Sequence, residues 1–253
     1  MGLQIAVAGK GGGGKTTFAV LTVRSLVAAG HVPVLAVDAD ANANLAEVLG
    51  VPVRETIADV LAELSRDRRA RPGGMSKAEY VNFRMNQALA GSADVDLLVM
   101  GTPEGPGCYC HANNLLREFI EQKAREYAFV VVDNEAGLEH LSRGTIRRAD
   151  LLFIVSDASV RGLRSAGRIH RLARQLKLGV GELCLVINRV KEKDLDVLGA
   201  EIAATRLELA GYLPHDPAVE VQDLQGKPLI QLPEETPAVT AVRGIISRTV
   251  FSR

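Results

Sequence analysis

Short apolar runs recur along the chain, punctuated by Gly, Pro, Asp and Asn, with longer segments between them whose apolar residues fall three and four apart. The runs at 3–8, 32–37, 96–100, 129–132, 151–155, 183–187 and 209–213 read as strands. A strand buried on both faces has no polar side to alternate with, so continuous apolar character is its signature. Residues 17–29 contain neither Gly nor Pro and read as a helix. In 56–64, Ile57, Val60, Leu61 and Leu64 share one face of a short helix, and Leu115, Leu116, Phe119 and Ile120 share another. Segments 138–148 and 160–176 read as helices, the second with Arg and Lys on its outer face, and 75–93 as partly helical. Val239, Val242, Ile245 and Ile246 give a terminal amphipathic helix. No repeat or interdomain linker interrupts the alternation. It predicts a single α/β domain over 1–253, with one mostly parallel sheet of about seven or eight strands covered by helices on both faces.

Composition narrows the class. The 253 residues are 47% hydrophobic, ordinary for a folded soluble domain, and carry 30 Lys+Arg against 30 Asp+Glu. That balance gives no global reason to expect a nucleic-acid or membrane surface. No apolar run reaches the roughly 18 residues of a membrane span, and the glycines and lysines at 9–15 interrupt any secretory leader. Three cysteines make a disulfide framework unexpected and a reducing cytoplasm the expected setting. With no Trp and few Phe and Tyr, the core falls to Val, Leu, Ile and Ala. The arginines at 66–71 read as a solvated loop.

Residues 9–17 read G-K-G-G-G-G-K-T-T between the first strand and the first helix. Strand, glycine loop and helix together give the phosphate-binding pattern G-x-x-x-x-G-K-[ST] its weight. Gly9, Gly11, Gly12, Gly13 and Gly14 let backbone amides approach phosphate oxygens without a Cβ in the way. Lys15 can reach the β- and γ-phosphates, Thr16 can place its hydroxyl on Mg²⁺, and Thr17 follows at the helix start, whose N-terminus favours the anion. The expected ligands are therefore ATP and Mg²⁺. Lys10 is a second lysine that the pattern does not require. It reads either as a surface residue or as one reaching a phosphate across a dimer interface.

Acids follow two of the apolar strands. Asp38 and Asp40 end the second, where α/β sheets place their sites. Asp38 is a candidate for the Mg²⁺ sphere, and Asp40 for orienting or deprotonating the attacking water. Asp133 ends the fourth strand in the Walker B arrangement, and Gly137 can swing its amide toward a γ-phosphate as a switch. Asn188, with Arg189 beside it at the end of the sixth strand, can pair with the adenine edge. Pro214 and Asp216 belong to a rigid loop expected to close over the base. Cys184 reads as a core residue.

Cys108-Tyr109-Cys110 opens the helix that carries Leu115 and Phe119. Two thiolates alone cannot close a tetrahedral site, whereas two copies across a two-fold axis supply four. A helix N-terminus favours the thiolate form. Two semi-buried thiols with no metal are the alternative.

The 9–17 string resembles the deviant P-loop of the septum-site and plasmid-partition ATPases and the nitrogenase iron protein. With Val37 to Asn42, Cys108-Tyr109-Cys110 and Asp133 to Gly137 added, the whole chain resembles the carbon monoxide dehydrogenase nickel-insertion ATPases. The resemblance implies an ATP-driven homodimer that binds Ni²⁺ or Zn²⁺ between subunits through Cys108 and Cys110, with carbon monoxide dehydrogenase as client. It gives Lys10 the role of the signature lysine acting in trans, Lys15 that of the phosphate lysine and Thr16 that of the Mg²⁺ ligand. Asp40 becomes the catalytic aspartate, Asp133 the Walker B aspartate and Asn188 the adenine-recognition residue. Gly13 departs from the class, which carries valine there, but removes no ligand. Residues 134–140 contain no cysteine, which separates the chain from iron protein itself. A partitioning or localisation ATPase, and a metal store with regulatory nucleotide, are the competing readings.

Overall fold

The structure is a computed structural model and describes residues 2–66, 74–91, 93–102, 108–137, 148–191 and 194–252, excepting the side chains at 65, 66, 77 and 108–113. The strands are β1 (Leu3–Gly9), β2 (Val34–Ala39), β3 (Ala90–Gly91), β4 (Val95–Val99), β5 (Phe129–Asn134), β6 (Arg148–Asp157), β7 (Gly179–Val190) and β8 (Glu208–Pro214). They form one eight-stranded sheet in the order β3-β4-β2-β5-β1-β6-β7-β8. Every pairing is parallel except β3 with β4. The fold is thus an α/β P-loop NTPase with helices on both faces of a mostly parallel sheet.

Side-chain alternation along the strands sorts the core into two layers. Ile5 and Val7 of β1 face one side, where they join α1 (Lys15–Ala28) and a terminal helix, Pro237–Thr249. Ala6 and Ala8 face the other side, joining the helix Val160–Gln175. Val130 and Val132 of β5 share that second side with α3 (Ile57–Arg66), α4 (Lys77–Gln87) and α5 (Cys108–Lys123). The short helix α2 (Asn44–Leu49) lies with the first layer. Continuing in chain order, Val160–Gln175 is α6, Asp194–Thr205 is α7, Pro217–Leu224 is α8 and Pro237–Thr249 is α9.

α1 contains several β-branched residues, which are middling helix formers, so burial rather than propensity holds it. Phe18, Ala19, Val20, Leu21, Val23 and Leu26 are buried against the sheet and α9. Arg24 fastens its outer side, donating to the carbonyls of Ile230 (3.0 Å) and Leu232 and to Glu234 (2.6 Å). The β1–α1 junction is therefore clamped on both sides, which fixes the direction in which the glycine loop points. Asn134 adds a tie under the site, its amide donating to the Val7 carbonyl at 2.8 Å.

Phe18 of α1 meets Phe153 of β6 edge-on, with ring centroids 5.0 Å apart. Both are fully buried. Phe153→Ala should cost about 3–5 kcal/mol through lost transfer energy and the cavity left behind, read as a lower denaturant midpoint at unchanged slope. A change within about 0.5 kcal/mol, the range of a surface substitution, would show that the contact does not organise the core.

Candidate functional site

Strand order reverses around β1, whose C-terminal end lies between β5 and β6. A crevice at such a reversal is where open α/β sheets bind ligands. The glycine loop leaves β1 at this point. A Cβ on Gly9 would stand 2.2 Å from the Val155 carbonyl oxygen of β6, so the turn can start only from glycine. Gly11 and Gly12 are exposed, Gly13 is buried, and the Gly13 amide donates to the Lys10 carbonyl at 3.2 Å. Gly14 ends the loop in the left-handed region, φ 93°, and caps α1 with no side-chain bond. The first amides of α1 thus point to the loop mouth without an intrahelical partner, as helix geometry requires. Lys15 is buried there, Thr16 and Thr17 are half-buried, and Lys10 is exposed.

Two carboxylates sit under the loop. Asp38 and Asp133 are register partners on adjacent strands β2 and β5, and both are out of contact with solvent. The Asp38 oxygens accept from the amides of Asp40 (3.1 Å) and Leu45 (2.8 Å), so this acid shapes the turn that leads into α2. Burial still pushes its carboxyl up to about 6. Burial pushes Asp133 up to about 7; a hydrogen bond from Thr16 opposes this, Asp38 reinforces it, and the Lys15 charge again opposes it. Oδ1 of Asp133 has no hydrogen-bond partner although it is buried. An unsatisfied buried carboxylate oxygen beside a threonine hydroxyl offers the oxygen donors that a phosphate-bound Mg²⁺ needs, and these two residues fit that ion; the nearby Lys15 charge suits the phosphates instead.

Asp40 stands half-exposed after β2, its Oδ1 accepting from the Asn42 amide and side chain, each at 2.9 Å. From the other side, Gly137 has φ 112° and its amide lies 3.4 Å from the Gly9 carbonyl. The segment after β5 therefore touches the glycine loop.

The family model described as the CobQ/CobB/MinD/ParA nucleotide binding domain matches residues 5–229. The chain belongs to this family. An uncharacterised ATP-binding protein of Methanocaldococcus jannaschii is 41% identical, covering 97% of this chain and 98% of that one. The carbon monoxide dehydrogenase accessory protein CooC of Rhodospirillum rubrum is 35% identical, covering 88% of each. Among solved structures, the cell division ATPase MinD of Pyrococcus furiosus superposes with a TM-score of 0.75 at 24% identity, covering 100% of both chains. That last likeness is one of fold.

In this CobQ/CobB/MinD/ParA domain, β7 runs past the expected strand end at 187 and carries Asn188 and Arg189 within it. Asn188 is buried, with its amide donating to the Gly13 carbonyl at 3.2 Å. It packs so closely that a Cβ on Gly14 would stand 1.8 Å from its Nδ2. Arg189 holds a left-handed backbone, φ 57°, and its guanidinium donates to the Gly12 carbonyl at 3.1 Å. Both side chains thus grip the glycine loop, a contact that the sequence did not announce. Pro214 closes β8, and Asp216 caps α8, accepting from Ala218 at 3.0 Å and from Ala238 of α9 at 2.9 Å. Asp216 therefore joins two helices through both of its oxygens. The pair Asp216-Pro217 is the sequence signal for this, an N-cap followed by proline at the first helical position.

Cys108 and Cys110 lie in the first turn of α5, where the helix begins. Their side chains, that of His111, and residues 67–71 and 138–147 lie outside the described residues; of the loop expected at 66–71 Arg66 instead ends α3, and of the helix expected at 138–148 Arg148 instead opens β6. Among the described residues no group of three or more His, Cys, Asp or Glu side chains is arranged to hold a metal, no helix is long and apolar enough to cross a membrane, and Cys184 is buried in the core.

A raised carboxyl pKa favours the fold at low pH and loses that contribution as pH climbs through the folded value. For Asp133 the window runs from the ordinary 3.8 to about 7. Asp133→Asn should therefore make the nucleotide-free protein more stable than the parent at pH 8, by about 2–4 kcal/mol. The gap should close toward pH 4. Denaturant midpoints across that range measure it, and a gap that is constant or widens at low pH would contradict the buried-charge assignment.

Proposed function

We propose that the chain is an ATP-driven dimeric switch in which hydrolysis resets a state that ATP assembles. The observation that carries this reading is the buried, unpartnered Asp133 oxygen beside Thr16 at the glycine loop. Thr16 and Asp133 would hold Mg²⁺, which when bound offsets phosphate charge. Lys15, already buried at the loop, binds the β- and γ-phosphates, and Asp40 on its exposed turn orients the attacking water. Gly137, whose amide now rests against Gly9, turns toward the γ-phosphate when ATP is present and relaxes after its release. Lys10, exposed on the loop, supplies positive charge to the partner protomer's phosphates. Asn188 and Arg189 carry the state of the base pocket to the loop they grip.

Two outputs fit this switch. Partitioning or localisation has the broader support, since the matched family model includes MinD and ParA and the fold likeness to MinD spans both chains fully. Nickel or zinc delivery for maturing carbon monoxide dehydrogenase is the narrower reading. It is supported by the 35% identity to CooC and by a Cys-x-Cys at the start of α5. In that reading Cys108 and Cys110 of two protomers take one Ni²⁺ or Zn²⁺ as cargo.

The switch predicts separable effects. Lys15→Ala should lose ATP binding, because it removes a charge that meets the ground state. Asp40→Ala should keep binding and lower turnover by about 10²-fold or more. Equilibrium ATP binding beside steady-state phosphate release separates them, and unchanged turnover in the Asp40 variant would remove that residue from its role.

Anaerobic titration of reduced protein with Ni²⁺ or Zn²⁺, with and without ATP, separates the outputs. Metal delivery predicts one ion per two chains, bound about 5- to 150-fold tighter with ATP, and abolished by Cys108→Ser with Cys110→Ser. A titration showing no uptake, together with ATP-dependent co-sedimentation on duplex DNA or anionic vesicles, would assign localisation instead.

A further inference from the structure

The chain is neutral overall, yet its positive charge is unevenly placed. No Asp or Glu occurs between Asp157 and Glu182, while Arg161, Arg164, Arg168, Arg171 and Arg174 recur at helical spacing along α6. All five are exposed. The opposite face of α6, with Leu163, Ala166, Ile169 and Ala173, is buried in the core, so the arginines cannot turn inward. Of these five, only Arg164 makes an ion pair with a described residue, Glu201 of α7 at 2.8 Å.

Stability does not account for this stripe. Like charges three or four residues apart destabilise a helix by a few tenths of a kcal/mol per pair. The helix dipole favours cations at the C-terminal turn, which suits Arg171 and Arg174, but disfavours them at the start, where Arg161 stands with no acid in the first turn. The pattern therefore burdens the isolated helix at its N-terminal half and repels itself along its length. At the far end the stripe runs into a cleft of about 520 Å³ between the ends of α6 and α7, lined by His170, Arg171, Arg174, Thr205 and Arg206. His170 lies 3.0 Å from the Thr205 carbonyl there and steadies the wall.

We propose that the arginine face of α6, continued by Arg206, is a docking surface for an acidic segment of another protein. The inference does not rest on the proposed nucleotide chemistry. The stripe spans about 20 Å and repeats close to the 5.4 Å helical pitch, the spacing at which carboxylates recur along one face of an acidic helix. Guanidinium forks pair with carboxylates two bonds at a time. A nucleic acid fits less well. Its binding is driven by a broad positive field, whereas this stripe is one helix wide, is interrupted by Glu201, has no aromatic side chain on α6 for base stacking, and belongs to a neutral chain.

The test uses the full chain with three probes: fluorescent poly-L-glutamate, a duplex DNA, and phosphatidylglycerol vesicles. The parent should bind poly-L-glutamate with an affinity that falls as salt rises, more tightly than DNA or vesicles. Arg168→Gln with Arg171→Gln and Arg174→Gln should weaken that binding at least about tenfold, keep ATP turnover, and melt no lower than the parent. The matching Arg→Lys variant should recover part of the affinity, and Arg168→Gln alone should give a smaller loss. Absence of salt-sensitive binding to poly-L-glutamate, or equal binding by the Gln variant, would overturn the proposal. Tighter retention on DNA or vesicles, lost in the same variant, would overturn it in favour of a phosphate-binding surface.

Discussion

Two carboxylates held side by side beneath the sheet's central crevice constrain everything above them. Asp38 and Asp133 occupy neighbouring strands at the same register and see almost no water. Asp38 is compensated by two backbone amides, whereas Asp133 keeps one oxygen unsatisfied. In a nucleotide-free protein that arrangement is costly, and the raised pKa values express the cost. It persists because the strands that carry the acids are buried on both faces and cannot reorient. The pair thus sets an electrostatic demand for positive charge at the loop mouth, which Lys15 meets in part, while a hydrogen bond from Thr16 eases the Asp133 charge.

The glycine loop is where this demand reaches the rest of the molecule. It is gripped from β7 by Asn188 and Arg189, bounded by the Val155 carbonyl of β6, and touched by Gly137 after β5. Ligand binding at the loop is therefore felt on three strands at once. The exposed Lys10 is the one charged residue of the loop left facing outward. That brings the segment after β5, the Asn188 and Arg189 contacts and the exposed Lys10 together on one short stretch of backbone.

Much of this was legible in the sequence because buried parallel strands and phosphate loops both have strong local signatures. The seven apolar runs all became strands, and the helix starting at Cys108 begins where the cysteines suggested. The misses have physical causes. β3 is two residues long and pairs antiparallel at the sheet edge, too short to leave a pattern. α7 carries Gly199 and, among its buried residues, only Leu198 is apolar, so its periodicity is weak. α8 buries none of its residues. β7 runs on through polar Asn188 and Arg189 because pairing to β8 continues to Val190 opposite Pro214. The grip of those two residues on Gly12 and Gly13 depends on strands far apart in sequence, which no local pattern encodes.

The central claim is that each active site needs its own Asp40 and its partner's Lys10. Mixing two inactive variants tests it directly. Asp40→Ala and Lys10→Ala protomers each lack one requirement, but a mixed dimer contains one complete site, built from the Asp40 of one chain and the Lys10 of the other. Phosphate release by an equal mixture should return to roughly a quarter of the parental rate if protomers pair at random, rising and falling with the proportion of mixed dimers. A mixture as inactive as its two components would show that Lys10 serves its own subunit or none, and would contradict the cross-subunit switch.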